Sequence, residues 1–294
     1  MRGMCVSISL LDLLALQSAL QFQPPHLEWN YFIGSELSKM TVILITTLIL
    51  LVVSVGARIG YDLSVPADAQ TWTCLRDAIA LGDGPAFAIV RVFRNIGEID
   101  TNAATTLRSA TDAGMGDLGA YIFPCIAQAP YSLANNNTCG SAEDQVVKSL
   151  QYLESNRVFV KGYNDDKGTR GKDTILNRIW LDIEDEQPSK YFSENISDNT
   201  DFLKKMVSKL EGLGVTVGIY TTKTYWENIM GNVKGYGSHA LWYPRYDGEN
   251  TYDFFEPFAD FTITSLMIKQ TGGNVEICGL SQVDSDFSEY MGAI

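Results

Sequence analysis

From Ile59 onward, short β-like runs alternate with helix-like ones, and no internal linker separates them. A chain patterned this way buries both kinds of element by laying helices over a mainly parallel sheet. The expected strands cover 59–63, 86–93, 118–123, 178–184, 215–221, 239–243, 265–270 and 280–284. Helices are expected over 102–113, 142–155 and 201–213. The second carries Val146, Leu150 and Leu153 on one face behind Ser141, a good N-cap. The third carries Phe202, Met206 and Leu210 and stops at Gly212 and Gly214. Eight strands with fewer than eight helices predict the α/β class, as one flattened TIM-like (β/α) barrel over 58–294. Segment 161–172, KGYNDDKGTRGK, is charged and Gly-rich and reads as a loop. It precedes a strand, which puts it on the face opposite the usual active site, and no catalytic role is assigned to it.

The N-terminus has a different character. Residues 41–57, TVILITTLILLVVSVGA, carry no charge and follow Lys39-Met40. The run is short for a bilayer span, which needs roughly 20 apolar residues. It closes on Val55-Gly56-Ala57, small residues that suit a signal peptidase. Residues 40–57 therefore read as a secretory signal peptide cut near Ala57. An uncleaved signal anchor, tethering the domain to a membrane, is the alternative. Residues 1–39 hold a second apolar stretch, 6–20, and a Pro24-Pro25 break. They read as an extension upstream of Met40, which can itself start translation. With the signal removed, no stable membrane association is expected, and the protein is placed outside the cell or in a lysosomal or phagosomal lumen.

Charge and histidine content narrow the chemistry. The formal net charge is −13, which gives no basic face for phosphate, so no nucleic-acid partner is expected. There are 2 histidines, His26 and His239, and the first lies in the N-terminal extension. A Ser-His-Asp triad would rest on His239 alone, and a site built from several histidines on zinc is excluded. No Walker loop and no G-x-G-x-x-G occurs, and neither a cofactor nor a metal is expected. Chemistry falls to the 35 carboxylates.

Past residue 57 the cysteines are Cys74, Cys125, Cys139 and Cys278. An even set in a secreted chain suggests two disulfides, with three possible pairings. Cys125 and Cys139 flank one loop and are favoured as partners, which leaves Cys74 with Cys278. Asn136 and Asn195 head N-x-S/T sequons, patterns short enough to arise by chance.

The most informative stretch is Ile179-Trp180-Leu181-Asp182-Ile183-Glu184. Side chains alternate along a strand, so Ile179, Leu181 and Ile183 share an apolar face while Trp180, Asp182 and Glu184 point into the barrel. Carboxylates at i and i+2 have Cα atoms roughly 7 Å apart. Held in an apolar strand, both cannot ionise freely, and one pKa should rise. A protonated carboxylic acid beside a carboxylate is what glycosidic cleavage needs. Asp62 ends the first strand and Asp284 the last. Singly, each reads as a capping aspartate; three acidic strand ends converging on one mouth read as a site.

The runs Gly60-Tyr61-Asp62-Leu63-Ser64, Phe87-Ala88-Ile89-Val90-Arg91, Trp180-Leu181-Asp182-Ile183-Glu184, Val217-Gly218-Ile219-Tyr220-Thr221, Leu241-Trp242-Tyr243, Lys269-Gln270 and Val283-Asp284 occur in this order. Together they resemble the glycoside hydrolase family 25 lysozymes, in particular the branch found in amoebae, slime moulds and nematodes. Thr73-Cys74-Leu75-Arg76 and Phe123-Pro124-Cys125 resemble additions of that branch. The resemblance implies a flattened β/α barrel and N-acetylmuramidase activity on bacterial peptidoglycan; a monomer is expected. It implies Glu184 as general acid, Asp182 as its partner, and Asp62 and Asp284 as further acids of the pocket. Tyr121, Tyr220, Trp242 and Gln270 would line the sugar site, with Trp242 stacking on a ring unless it is a core tryptophan. Two features depart from the family pattern. Arg91-Val92-Phe93-Arg94-Asn95 replaces a Lys/Arg-Ala-Thr-Glu-Gly turn, and Asp185-Glu186 adds charge after Glu184. The rival expectation is a secreted carbohydrate-binding protein of the same fold without turnover, against which the retained acids argue.

Overall fold

The computed structural model describes residues 58–79, 86–168, 173–185, 189–288 and Ile294. The extension and signal segment expected over 1–57 lie outside the described residues. The strands are β1 (Arg58–Leu63), β2 (Phe87–Arg94), β3 (Glu98–Ile99), β4 (Asp117–Ile122), β5 (Val158–Val160) and β6 (Thr174–Leu176). They continue with β7 (Arg178–Asp182), β8 (Val217–Tyr220), β9 (Ala240–Pro244), β10 (Leu266–Ile277) and β11 (Leu280–Ser288). The helices are α1 (Ala69–Ile79), α2 (Ala103–Asp112), α3 (Pro130–Asn135), α4 (Ala142–Ser155), α5 (Ile196–Gly212) and α6 (Lys223–Met230).

Eight strands close a barrel in the order β1-β11-β10-β9-β8-β7-β4-β2, with β2 pairing back to β1. The α/β barrel read from the alternation is therefore present, with six helices among the described residues. The sheet is parallel from β1 through β2, β4, β7, β8 and β9 to β10. It departs from that rule at the end, because β11 runs antiparallel to both β10 and β1. The cause is local. Ile277 pairs with Leu280 across Cys278 and Gly279, whose φ angles are 52° and 79°. Two left-handed residues make the tight hairpin turn that matches strand twist, so the chain reverses instead of crossing over. The last strand also runs to Ser288, four residues beyond the expected end at 284.

The alternation along β7 sorts its residues as expected. Ile179, Leu181 and Ile183 join the core between barrel and helices, and Trp180 joins an interior cluster with Phe87, Ile89, Tyr121, Tyr220, Trp242 and Met267. Glycine makes room for these rings. A Cβ on Gly218 would lie 2.2 Å from the Trp180 ring, and one on Gly60 would lie 2.3 Å from Phe87. Truncating Leu181, which is fully buried, would cost about 2–5 kcal/mol through lost transfer energy and the cavity left behind.

Helices α1, α3 and α6, absent from the expectation, are short or broken by polar residues and take their order from packing on the barrel. Segment 161–172 is not all loop. A 3-10 turn at Asp165–Lys167 sits between β5 and β6, which pair as a small parallel sheet. Gly162 lies backbone against backbone on Gly214, in the connection entering β8. Its described part, 161–168, is thus at the end of the barrel opposite the carboxyl ends of the strands, where it was expected. Both disulfides form with the favoured pairing: Cys125–Cys139 at Cα–Cα 5.1 Å and Cys74–Cys278 at 5.9 Å.

Candidate active site

The carboxyl ends of β1 and β7 and the middle of β11 meet at one mouth. Asp62 pairs with Asp284 across the β1–β11 seam, so the antiparallel register sets these side chains level on one face. Asp182 ends β7 and Glu184 follows two residues on, on the same inward side. The acids foreseen at three strand ends therefore converge. A fifth, Asp286, joins them on the inward face of β11 and is 1% exposed.

Gln270 organises the group. Its Nε2 donates to Asp62 Oδ2 at 2.7 Å and to Asp284 Oδ2 at 3.5 Å. Its Oε1 accepts from the hydroxyls of Tyr220 and Tyr246, both at 2.8 Å. With hydroxyls on one side and carboxyls on the other, the amide is held in a single orientation. Trp242 donates its indole N–H to Asp286 Oδ1 at 2.8 Å. Asn274 N–H donates to Asp284 Oδ1 at 2.5 Å. Asp182 Oδ1 and Asp286 Oδ2 are buried with no hydrogen-bond partner.

Burial dominates the electrostatics of every acid here. It pushes the Glu184 carboxyl up to about 7, with the charges of Asp284 and Asp185 adding to the rise and the neighbouring Tyr220 hydroxyl opposing it. Burial and then the Glu184 charge hold Asp182 well above the usual carboxylate range, with Arg91 opposing. Asp62 is raised by burial and by Asp286 and Asp284, against the Gln270 bond. Asp286 is raised by burial, against the Trp242 N–H. Asp284 rises less far, through burial opposed by the Asn274 N–H. The result is a mouth that holds protons at neutral pH and titrates as coupled groups.

A cleft of about 430 Å³ opens beside Glu184, lined by Arg91, Asn95, Phe123, Asp185, Tyr191 and Tyr225. The run 91–95, which stands in place of a family turn, forms the end of β2 as far as Arg94, and Arg91 and Asn95 both line the wall of the cleft. Arg91 is committed to Asp100 Oδ2 at 3.0 Å and to the Ser64 carbonyl at 2.9 Å. Asp185 does add charge beside Glu184, as the sequence suggested, but from a buried position. It is 4% exposed and accepts the backbone N–H groups of Lys190, Tyr191 and Phe192. Glu186 lies outside the described residues.

Tyr121 and Tyr220 are buried at the base of the mouth. Trp242, expected to stack on a sugar, is 2% exposed and meets Tyr121, Trp180 and Tyr220 edge to face at 4.7–6.1 Å. It takes the core alternative, and its contribution at the mouth is the bond to Asp286. Tyr246 is the aromatic with an open ring, 61% exposed with its hydroxyl turned inward. Two residues of the mouth were missed from sequence. Asp286 had a signal, since it follows Asp284 at the spacing that relates Glu184 to Asp182. Tyr246 had none, because it lies on a loop. Among the described residues no group of three or more His, Cys, Asp or Glu side chains is arranged to hold a metal ion.

The family described as "Lysozyme-like protein 1" matches residues 54–270. "Probable GH family 25 lysozyme 2" of Dictyostelium discoideum is 32% identical over 77% of this chain and 89% of its own length. "Lysozyme-like protein 5" of Caenorhabditis elegans is 31% identical over 74% and 86%. The chain belongs to the family 25 lysozymes. Solved family 25 lysozymes share the fold: that of Aspergillus fumigatus superposes with a TM-score of 0.53 at 20% identity, covering 79% of this chain and 93% of that one. The lysozyme of Streptomyces coelicolor gives 0.54 at 18%, covering 80% and 92%. As a member of the family, the protein is a glycoside hydrolase.

Proposed function

We propose that this lysozyme hydrolyses the β-1,4 bond between N-acetylmuramic acid and N-acetylglucosamine in bacterial peptidoglycan. The observation that carries the reading is Glu184, an acid raised to about 7 beside Asp182 at the end of one barrel strand. An acid still protonated near neutrality can give its proton to the leaving glycosidic oxygen. Glu184 and Asp182 titrate as a coupled pair. In the reactive form Glu184 keeps the proton, while Asp182 is ionised and stabilises the positive charge that develops at the anomeric carbon. The unpartnered Oδ1 of Asp182 suits an N–H donor of the substrate, so Asp182 orients the 2-acetamido group. The oxygen of that group attacks the anomeric carbon as the protonated glycosidic oxygen leaves; water then opens the oxazolinium and returns a proton to Glu184. An attacking aspartate is the alternative route. Gln270, held by Tyr220 and Tyr246, fixes Asp62 and Asp284 behind the reacting centre.

The domain is proposed to be secreted, as a monomer, after cleavage near Ala57. Asn136 and Asn195, both exposed, are its proposed glycan acceptors. N-terminal sequencing of the secreted protein checks the cleavage point.

The decisive test is product chemistry on purified peptidoglycan, with new reducing ends tagged by borohydride and identified by mass spectrometry. Reducing muramic-acid ends are expected. Reducing glucosamine ends, or no product across acidic to neutral pH, would overturn the reading.

A further inference from the structure

The geometry points to Lys269 as a positioning residue that sets the saccharide-binding face of the mouth by holding the loop that presents Tyr246. The inference rests on the proposed reading of the mouth as a saccharide site.

Strand alternation separates Lys269 from its neighbour. Gln270 faces the acids, and Lys269 faces away from the barrel interior under the connection from β9 to β10. There it is fully buried. Its Nζ donates to Asp247 Oδ1 at 2.6 Å and to the Glu249 carbonyl at 2.7 Å, and lies 4.7 Å from the Phe254 ring centroid. A buried ammonium is tolerated only when its protons are taken up in this way, so the lysine dictates where residues 247 and 249 sit.

The same short stretch is bonded along β10. Arg245 N–H donates to the Gln270 carbonyl at 2.8 Å, and Gly248 N–H donates to the Thr271 carbonyl at 3.1 Å. Asp247 also accepts from Arg245 Nε and from the Glu249 N–H. Burial pushes the Asp247 carboxyl up, but the bonds from Lys269, the Glu249 N–H and Arg245 outweigh it and bring it down to about 2. The strap stays charged over the range in which the mouth acids titrate.

Tyr246 is what this strap delivers. Its hydroxyl reaches Gln270 Oε1 and its ring lies against Gly273, where a Cβ would come 2.9 Å from Cζ. The rest of the ring is open, whereas Tyr121, Tyr220 and Trp242 are buried. An open aromatic face beside a carboxyl cluster is where a pyranose ring can stack. Lys269 touches no substrate; it acts through the loop.

The test compares kcat and KM on soluble peptidoglycan fragments, together with calorimetric binding of tri-N-acetylchitotriose. Lys269→Met should raise KM and the chitotriose Kd by about 3- to 10-fold with a smaller change in kcat, the pattern of lost ground-state and transition-state binding alike. Tyr246→Ala should raise both by a similar factor and also lower kcat, because it takes a hydroxyl from Gln270. In KM and Kd the double variant should be no worse than either single one, because both act through one contact. If Lys269→Met fails to fold, Asp247→Ala cuts the same contact from the loop side, and Asp247→Glu should restore part of the affinity. A folded Lys269→Met or Asp247→Ala enzyme with wild-type KM, or one that loses kcat at unchanged KM, overturns the inference while leaving the proposed function standing. A wild-type protein that neither cleaves peptidoglycan nor binds chitotriose overturns both.

Discussion

At the floor of the barrel, Arg58 Nη2 lies 2.9 Å from Asp117 Oδ2, and Asp117 also accepts from Asn177 and from the Ile294 N–H at 2.8 Å. Arg58 and Arg178 stand over the rings of Phe87 and Trp180. At the mouth, Asp62, Asp182 and Asp286 lie at a comparable depth with Glu184 and Asp284 half-buried beside them, and Arg91, the cation that acts on Asp182, is already bound to Asp100. Both ends bury charge. The floor matches each carboxylate oxygen with a donor, while the mouth leaves two oxygens unmatched and lets protons supply the neutrality. Matching of the first kind makes a fixed plug, and the second kind makes a reactive site. The difference shows where this fold invests in stability and where it gives some up.

The largest effect that would sharpen this contrast is Glu184→Gln. The amide keeps the shape and cannot deliver a proton, so kcat should fall by about 10²–10⁴-fold. The thermal midpoint should hold or rise, since a group costly to ionise has been removed. A folded and fully active variant would take Glu184 out of the mechanism and move attention to Asp62 or Asp284.

At the floor the expected outcome is reversed. Arg58→Met leaves Asp117 buried without its cation, which should cost about 3–5 kcal/mol of stability. Urea unfolding measures the loss, and the specific activity of the folded fraction should be unchanged. Loss of activity at intact stability would break the division between plug and site.

pH should separate the two ends next. A carboxyl whose pKa is raised on folding contributes stability that is complete below its unfolded value and is lost as pH rises through the folded one. For Glu184 that window runs from 4.5 to about 7. The thermal midpoint should therefore fall across this interval, and less steeply in Glu184→Gln. Activity should fall above the upper edge, because the acid must be protonated to work. A profile rising toward alkaline pH would contradict the assignment.

The smallest change expected is at Asp286. Its carboxyl is held toward the neutral form, so Asp286→Asn, which keeps an acceptor for Trp242, should alter activity only slightly. Asp286→Ala strands the buried indole N–H and should cost about 1–3 kcal/mol, read from the same unfolding curves. Equal behaviour of the two variants would show that the Trp242 bond contributes nothing.

Much of this was legible because the barrel imposes periodicity. The β7 alternation alone separates Ile179 and Leu181 from Trp180 and Asp182, and the structure keeps that division. The sheet's parallel part follows from the helices between its strands as far as β9, while β10 runs parallel to β9 with no helix between them among the described residues. What escaped depended on contacts distant in sequence. The direction of β11 hangs on two φ angles at Cys278 and Gly279, and ending that strand at 284 concealed Asp286. Trp242 took the core alternative, and Tyr246, which carries no sequence signal, is the ring that meets solvent, on a loop pinned to a buried lysine. The pairing of Arg58 with Asp117 joins residues 59 apart, and no local pattern announces it.

The seam between β1 and β11 has a consequence for timing. Asp62 is joined to Gln270 across 208 positions, and the Cys74–Cys278 bridge spans 204. Contacts of such separation are late events in folding, since the intervening chain must first be ordered. During synthesis the first strand emerges early and waits for the last hairpin. Until that hairpin docks, Asp62 has neither Gln270 nor Asp284 beside it. On the proposed reading of the mouth, hydrolytic competence is then the last property this chain acquires, and a nascent or C-terminally clipped molecule is expected to lack it.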